Sequence, residues 1–222
     1  MPNILIADDS PYIRTAYRRI IETQGDLEVS RVVENGLEAV KAVTDLDIDV
    51  AILDVRMPKL DGISASKKIR ELSPSTAIVI VSAYDDWTYV QDLINSDPVS
   101  KAYLLKNSLD DIGELIRVVR RVSEDYFILD SVLIDKLVGY YQRHSQPSDR
   151  SLQDIDLKIL SLNCSGMDIQ EISFDIDVPV DKVSSSIAIS AALLDLTNSQ
   201  HLQPDMAVAF LDLCINLFNQ SS

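Results

Sequence analysis

The chain has 222 residues, 46% of them hydrophobic, and this length and composition suit two packed domains better than one. Its net charge of −15 argues against a general binder of nucleic acid or of membrane surfaces. No apolar run reaches the length of a membrane span and no signal peptide is recognisable, so we expect a cytoplasmic protein.

Short apolar runs alternate with amphipathic segments over residues 1–123. The runs predict five strands, at residues 3–7, 27–33, 50–54, 77–82 and 102–105. The segments that follow the runs predict helices, which begin near residues 11, 37, 63, 87 and 109. This alternation predicts an α/β fold in which a doubly wound parallel sheet has helices on both faces.

Polar side chains stand where four of these strands end. The positions are Asp8 and Asp9 after the first strand, Asp54 at the end of the third, Ser82 at the end of the fourth, and Lys106 after the fifth. The carboxyl ends of parallel strands form the ligand crevice of an open sheet, so these side chains should meet there. Each acid alone has a simpler interpretation, because Asp54 suits a turn and Asp8 and Asp9 suit the start of a helix.

Taken together, these side chains favour phosphoryl chemistry. Clustered carboxylates raise one another's pKa unless a cation neutralises them, and hard oxygen ligands suit Mg²⁺. A lysine and a serine at the same rim would bind an anion, and a phosphoryl group is the anion that best fits Mg²⁺ with lysine. A free carboxylate is then the expected acceptor.

The same residues resemble the receiver (CheY-like) domain of two-component response regulators over residues 1–123. The resemblance is carried by Asp8–Asp9, by Asp54 with Met57–Pro58 and Asp61–Gly62, by Ser82–Ala83, and by the run Tyr103–Lys106. It implies a five-stranded sheet in the order 2-1-3-4-5 and phosphorylation of Asp54 by a sensor histidine kinase. It also implies that the chain is no enzyme beyond Mg²⁺-dependent self-phosphorylation and autodephosphorylation.

The resemblance implies a magnesium site as well. Asp9, Asp54 and the backbone carbonyl of Arg56 would bind Mg²⁺ directly. Asp8 would act through a water molecule. The Arg56 side chain either overhangs the site and tunes the lifetime of the phosphoryl group or is simply solvated.

Phosphoryl binding and switching fall to a second set of residues in the resemblance. Lys106, Ser82 and Ala83 would bind the phosphoryl group, and Ser82 would swing towards it. Tyr103 would then rotate inward and change the surface of the fourth helix and fifth strand. The loop at residues 95–101, before that strand, is about two residues longer than the usual pattern. The extra length either alters which dimer or partner the activated receiver prefers or is loop drift without consequence.

Residues 124–150 predict a connector helix followed by a linker. Apolar residues recur at helical spacing from Phe127 to Tyr140, and the polar residues 143–149 then break the periodicity. We therefore divide the chain into a receiver at 1–123, this connector, and an output domain at 151–222.

The output domain is predicted to be small and all-α. Its first helix ends near Gly166, Asp168 caps a second, and a third opens after Pro179. Two short helices joined by a turn suit a helix-turn-helix, and three suit a generic bundle equally well. Cys164 and Cys214 lack the spacing of a metal or redox motif and are expected to be reduced core thiols.

Residues 151–196 resemble the helix-turn-helix output domain of LuxR/NarL-type regulators. The matching positions are Leu152, Asp156, Ile159–Leu160, Gly166, Glu171–Ile172 and Val183. The resemblance implies transcription regulation through DNA, and the DNA-facing candidates are Gln170, Lys182, Ser184, Ser185 and Ser186. The family presents lysine, asparagine or histidine to the groove, whereas this chain presents serines.

The charge of the output domain supports a different function. Residues 151–222 contain two lysines and ten acidic residues, a net charge of −8. DNA affinity comes largely from neutralising phosphates, so a duplex should be repelled. The two hypotheses are a phosphorylation-controlled transcription regulator that binds DNA as a dimer, and an atypical regulator whose output domain binds a protein or dimerises.

The last predicted helix starts at Pro204 and is apolar almost all round. Its large side chains must be buried. They either close the core of the small domain or form the seam of a homodimer.

Overall fold

The sheet of the first unit is built from strands that are buried on both faces. In the computed structural model, which describes residues 1–94, 97–109, 112–144 and 152–220, the chain divides into two units, Met1–Tyr126 and Phe127–Ser222. The strands of the first unit are β1 (Asn3–Ala7), β2 (Glu28–Val33), β3 (Val50–Asp54), β4 (Ala77–Ser82) and β5 (Lys101–Leu105). They lie in the order β2-β1-β3-β4-β5 with parallel pairing, as predicted.

Helices follow the strands in alternation. They are α1 (Pro11–Glu22), α2 (Gly36–Asp45), α3 (Gly62–Leu72), α4 (Trp87–Ile94) and α5 (Ile112–Val122), with a short 3-10 turn at Lys106–Ser108. Helix α1 contacts α5, while α3 contacts both α2 and α4, so helices cover both faces of the sheet. The predicted doubly wound architecture is confirmed.

Local sequence sets where three of these helices begin. The Ser10 side chain accepts a hydrogen bond from the backbone of α1, and Pro11 occupies the first helical position. Asn35 caps α2 in the same way, and Asp61 caps α3 through a 2.8 Å bond from the Ser64 amide. These caps satisfy amide groups at the helix starts, which lie next to the carboxyl edge of the sheet.

A glycine allows α3 to start directly against the end of β3. The Gly62 amide donates to the Val55 carbonyl at 2.9 Å. A Cβ atom at Gly62 would lie 2.1 Å from the carbonyl oxygen of Asp54. Only glycine therefore permits this approach, which fixes the backbone around Asp54.

The second unit consists of a short strand and five helices in the described part of the chain. These are β6 (Phe127–Leu129), α6 (Ser131–His144), α7 (Asp154–Cys164), α8 (Ile169–Asp175), α9 (Val180–Leu193) and α10 (Leu202–Gln220). Helix α7 contacts α8 and α9, as in a helix-turn-helix, and α10 contacts α6, α7 and β6. Strand β6 was not anticipated from the sequence.

The segment predicted as a connector belongs structurally to the second unit. The Gln203 side chain on α10 accepts a hydrogen bond from the Phe127 amide and donates to the Phe127 carbonyl, both at 2.8 Å. It also donates to the Asn163 carbonyl on α7 at 2.8 Å. One side-chain amide thus ties β6 to two helices. Of the predicted linker 143–149, Arg143 and His144 instead end helix α6, and residues 145–149 lie outside the described residues.

The core of the second unit takes up part of the apolar last helix. The Met206, Phe210 and Leu211 side chains of α10 are buried. Cys164 is buried and outside any disulfide, as predicted, whereas the Cys214 side chain lies outside the described residues. None of the described helices is long and apolar enough to cross a membrane.

Candidate functional site

Lys106 joins two carboxylates at the carboxyl edge of the sheet. Its Nζ atom lies 2.7 Å from Asp8 Oδ2 and 2.8 Å from Asp54 Oδ1. Asp8 follows β1, Asp54 ends β3 and Lys106 follows β5, so three separate strands supply the cluster. Their convergence follows from the parallel order of the sheet, as the sequence predicted.

Burial and charge act against one another in this cluster. The Asp8 and Asp54 side chains are only 2% and 7% exposed. Burial raises the pKa of Asp54, Lys106 lowers it, and Asp8 and Asp9 raise it again, with a net increase. For Lys106, burial lowers the pKa, but the bonds to Asp54 and Asp8 outweigh it, so the pKa is raised and the ammonium stays charged.

The loop after β1 is held from two sides. The Ser10 amide donates to Asp8 Oδ1 at 2.8 Å. The Arg14 guanidinium donates to the backbone carbonyls of Asp8 and Asp9 at 2.7 and 3.0 Å. The Asp8 carboxylate is therefore fixed towards Lys106, while Asp9 is exposed to solvent.

The acidic cluster suits a hard dication both in the type of ligand atom and in charge. Asp8, Asp9 and Asp54 offer three carboxylates against the single ammonium of Lys106, so the cluster lacks positive charge. All the donors are oxygens, which Mg²⁺ prefers. Among the residues that the structure describes, however, no group of three or more Asp, Glu, His or Cys side chains forms a ready-made metal site.

The predicted switch residues share one hydrogen-bond network at the end of β4. The buried Ser82 hydroxyl accepts a hydrogen bond from the Tyr84 amide at 2.9 Å. The Tyr103 hydroxyl donates to the Tyr84 carbonyl at 2.9 Å, and the Tyr103 side chain is fully buried. Burial raises the pKa of Tyr103 to about 12, against a lowering contribution from its bond with Ser82. Tyr103 thus already occupies an inward position, and its rotation on phosphorylation stays a prediction.

Two tyrosines near the site were not identified as site residues from the sequence. The Arg56 guanidinium stacks over the Tyr84 ring, 3.8 Å from its centroid, and both residues are exposed to solvent. Tyr17 on α1 lies close enough to be affected by the charges of the cluster; burial raises its pKa to about 12 while Lys106 lowers it. The sequence signal that could have identified Tyr84 is its position two residues after Ser82. Ala83, between them, is exposed.

The predicted DNA-facing residues of the second unit do not share one surface. Ser186 is buried and donates a hydrogen bond to Asp156 on α7, so the prediction that it faces DNA is wrong. Ser184 and Ser185 donate to the backbone carbonyls of the residues four positions earlier, both at 2.8 Å. Gln170 and Lys182 are exposed.

A doubly wound five-stranded sheet with paired acids and a lysine at its carboxyl edge defines the receiver class of signalling domains. Residues 4–120 match the family described as "Response regulator receiver domain". The chain belongs to this family and is a two-component response regulator of the NreC and LuxR type.

Relatives extend over most of the chain. The oxygen regulatory protein NreC of Staphylococcus epidermidis is 37% identical over 159 residues, 71% of either protein. NreC of Staphylococcus haemolyticus is 32% identical over 207 residues, 90% of this chain and 94% of that protein.

Solved structures match one or both units. A crystal structure of a DNA-binding response regulator of the LuxR family from Staphylococcus aureus matches 55% of this chain and 99% of that one, with a TM-score of 0.51 and 28% identity. A structure of two RcsB dimers bound to two parallel DNAs matches 100% of this chain and 99% of that one, with a TM-score of 0.55. At 18% identity, the likeness to RcsB shows the fold alone.

Proposed function

We propose that Asp54 accepts a phosphoryl group from a phosphohistidine of a sensor histidine kinase. The observation that carries this proposal is the contact of the Lys106 ammonium with both Asp54 and Asp8. In the transfer, the bond from phosphorus to the histidine nitrogen breaks and a bond from phosphorus to an Asp54 oxygen forms. Lys106 then neutralises charge on the phosphoryl oxygens, in a reaction that depends mainly on positioning and electrostatics.

The same edge of the sheet would hold Mg²⁺. Asp9, Asp54 and the Arg56 carbonyl would bind the ion, with Asp8 acting through water. When bound, the ion would supply charge neutralisation for the incoming phosphoryl group. Asp8 keeps Lys106 in place, and the capped start of α1 keeps Asp8 in place.

The signal would pass through Ser82. Ser82 and the backbone amide of Ala83, an exposed residue, would bind phosphoryl oxygens. Any movement of Ser82 alters its bond from the Tyr84 amide, and the Tyr84 carbonyl is the acceptor of Tyr103. The network therefore links the end of β4 to β5. No separate substrate is turned over, since the chain's chemistry is its own phosphorylation and dephosphorylation.

Phosphate incorporation tests the acceptor assignment. With a phosphorylated histidine kinase or acetyl phosphate in the presence of Mg²⁺, Asp54→Asn should abolish incorporation into the protein. Asp47→Asn is the matched control, because Asp47 is an exposed acid just before β3. Incorporation into Asp54→Asn at the wild-type level would show that the acceptor is a different residue.

Two output functions remain for the second unit. Transcription regulation as a DNA-binding homodimer is supported by the helix-turn-helix fold and by the LuxR-family relative described as DNA-binding. Binding of a protein partner is supported by the residues themselves, since Ser186 is buried and residues 151–222 carry a net charge of −8. We favour the second on the chemistry of the DNA-facing positions.

A polarisation assay with labelled genomic duplexes separates the two functions. The protein is measured before and after acetyl phosphate treatment, at low and high salt. Binding tighter than about 1 μM that weakens steeply with salt would support the DNA function. Absence of binding under all four conditions would support the protein-binding function.

A further inference from the structure

The outward side of α9 is polar in its first half, with exposed Asp181, Lys182 and Ser185, and apolar in its second half. The inward face packs into the unit through Val183, Ile187 and Ala191, which are buried. On the opposite side, Ala188 and Ala192 are exposed. Beside them, Ile189 and Leu193 are 54% and 46% exposed and stand four residues apart on adjacent turns. We call Ala188, Ile189, Ala192 and Leu193 the α9 outer face.

The hydroxyl groups of α9 point to the same conclusion. Ser184 and Ser185 donate to carbonyls of their own helix, and Ser186 donates to Asp156. The O–H donors of all three serines are therefore engaged within the unit. The helix offers aliphatic surface in place of free hydrogen-bond donors, so base-edge recognition gains little from it.

The preceding helix adds a second apolar group. Phe174 on α8 is 91% exposed, an unusual setting for an aromatic side chain. It follows the exposed Gln170 by four residues, so the two side chains lie on the same side of α8. Both helices of the helix-turn-helix thus present apolar side chains to solvent.

Charge identifies the kind of partner. Lys182 is the sole basic residue in the sequence of α9, and residues 151–222 carry two lysines against ten acidic residues. A second copy of this unit would bring an equal negative charge, and a nucleic acid would bring its phosphates. A cationic protein surface is the complementary choice.

We propose that the α9 outer face docks an amphipathic helix of a partner protein whose apolar ridge is flanked by lysine or arginine. The partner's apolar side chains cover Ile189 and Leu193, and the small Ala188 and Ala192 allow the two helices to approach closely. The partner's cations face the exposed Asp181 and Asp195, which lie near the two ends of α9. This inference rests on the protein-binding output proposed above and assigns it a surface and a partner chemistry.

Binding of designed peptides to the full-length protein tests this surface. The probe is a fluorescein-labelled helical peptide of about 18 residues with leucine at helical spacing and lysine elsewhere, and its partner probe has glutamate in place of lysine. Fluorescence anisotropy should show binding of the leucine–lysine peptide that weakens with salt. The leucine–glutamate peptide should not bind.

Paired surface variants locate the binding. Ile189→Ser combined with Leu193→Ser should weaken binding at least about tenfold, because both changes remove apolar contacts at the centre of the interface. Tyr12→Ser combined with Leu72→Ser is the matched control, since these side chains of the first unit are 86% and 57% exposed. The control pair should bind like wild type. Ala192→Arg, which adds bulk and charge without removing a large side chain, should weaken binding in the same way.

Four outcomes would overturn the proposal. Equal peptide binding by wild type and by both α9 variants would show that the docking surface lies elsewhere on the protein. Sedimentation showing a dimer that the α9 pair dissolves would make a second copy the occupant. Duplex DNA binding that the same pair of substitutions abolishes would show that the face is a DNA surface. If neither the leucine–lysine peptide nor the duplex binds, this docking surface is refuted, while the proposed protein-binding function still stands.

Discussion

Replacing Lys106 by methionine (Lys106→Met) should destabilise the first unit, because it leaves two buried carboxylates without their counter-ion. The Asp8 and Asp54 oxygens lie 2.7 and 2.8 Å from the same nitrogen, so they are at most 5.5 Å apart. At an effective dielectric constant of about 20, two charges at that distance repel by about 3 kcal/mol. Because the Lys106 side chain is 22% exposed, water will screen part of this energy. We expect a loss of about 2–3 kcal/mol at pH 7 in metal-free buffer.

Urea unfolding followed by the fluorescence of Trp87 measures this loss. Trp87 is the single tryptophan and lies in α4, so its signal reports on the first unit. Lys67→Met is the matched control, because Lys67 forms an exposed ion pair with Asp92 at 3.5 Å. Such a pair contributes about 1 kcal/mol or less, so the control should unfold close to wild type.

The pH dependence provides a second check. The folded-state pKa of Asp54 is raised, so its ionised form lowers stability above that pKa, and the loss is relieved as the pH falls through it. Loss of the ammonium raises the pKa of Asp54 further. The difference in unfolding free energy between Lys106→Met and wild type should therefore become smaller in acid. Added Mg²⁺ should reduce the same difference in unfolding free energy at pH 7. If Lys106→Met and wild type have equal urea midpoints at pH 7, or if their difference in stability is as large in acid as at pH 7, then Lys106 does not stabilise the fold by neutralising Asp8 and Asp54.

Three further predictions concern the first unit. Gly62→Ala should cost about 2–3 kcal/mol in urea unfolding, because its Cβ would lie 2.1 Å from the last carbonyl of β3, whereas Gly25→Ala, with nothing within 4 Å, should be neutral. The pKa of the fully buried Lys101 is lowered to about 8, chiefly by burial, so wild-type stability should rise by about 3 kcal/mol between pH 8 and 10.5, and Lys101→Met should abolish that rise. Arg56→Ala removes the stack on Tyr84 and should shorten the half-life of the aspartyl phosphate roughly two- to fivefold, measured by loss of label; an unchanged half-life would refute that role.

The receiver fold could be predicted because its central strands are buried on both faces. Strands β3, β4 and β5 are fully buried, so they appear in the sequence as continuous apolar runs. Each run ends in a polar side chain, and parallel order brings those ends together. The grouping of Asp8, Asp54 and Lys106 followed from these two facts.

Contacts between distant side chains were not predictable in the same way. The receiver resemblance implied a role through water for Asp8 and a role towards a phosphoryl group for Lys106, yet in the structure the two side chains bond directly across 98 residues of chain. The stack of Arg56 on Tyr84 likewise depends on the backbone path of two loops. Periodicity places residues on faces of helices and strands, and it carries no information on such pairs.

In the second unit, small polar residues occupy core positions that the hydrophobic pattern does not reveal. Ser186 and Ser190 are buried on the same side of α9 as Val183 and Ile187. Serine counts as polar in a hydrophobic pattern, but its hydroxyl can be satisfied within the unit, as Ser186 is by Asp156. Transfer of family positions therefore assigned an outward role to a core residue.

The Gln203 amide bears on how this protein should be dissected into fragments. Because it bonds to both backbone groups of Phe127 and to the Asn163 carbonyl, a cut at residues 145–150 would leave its amide without two of its three bonds and strip α6 from α10. An isolated C-terminal fragment should therefore begin before Phe127. Binding studies with a fragment that starts at residue 151 would report on exposed core surface that the intact regulator never presents.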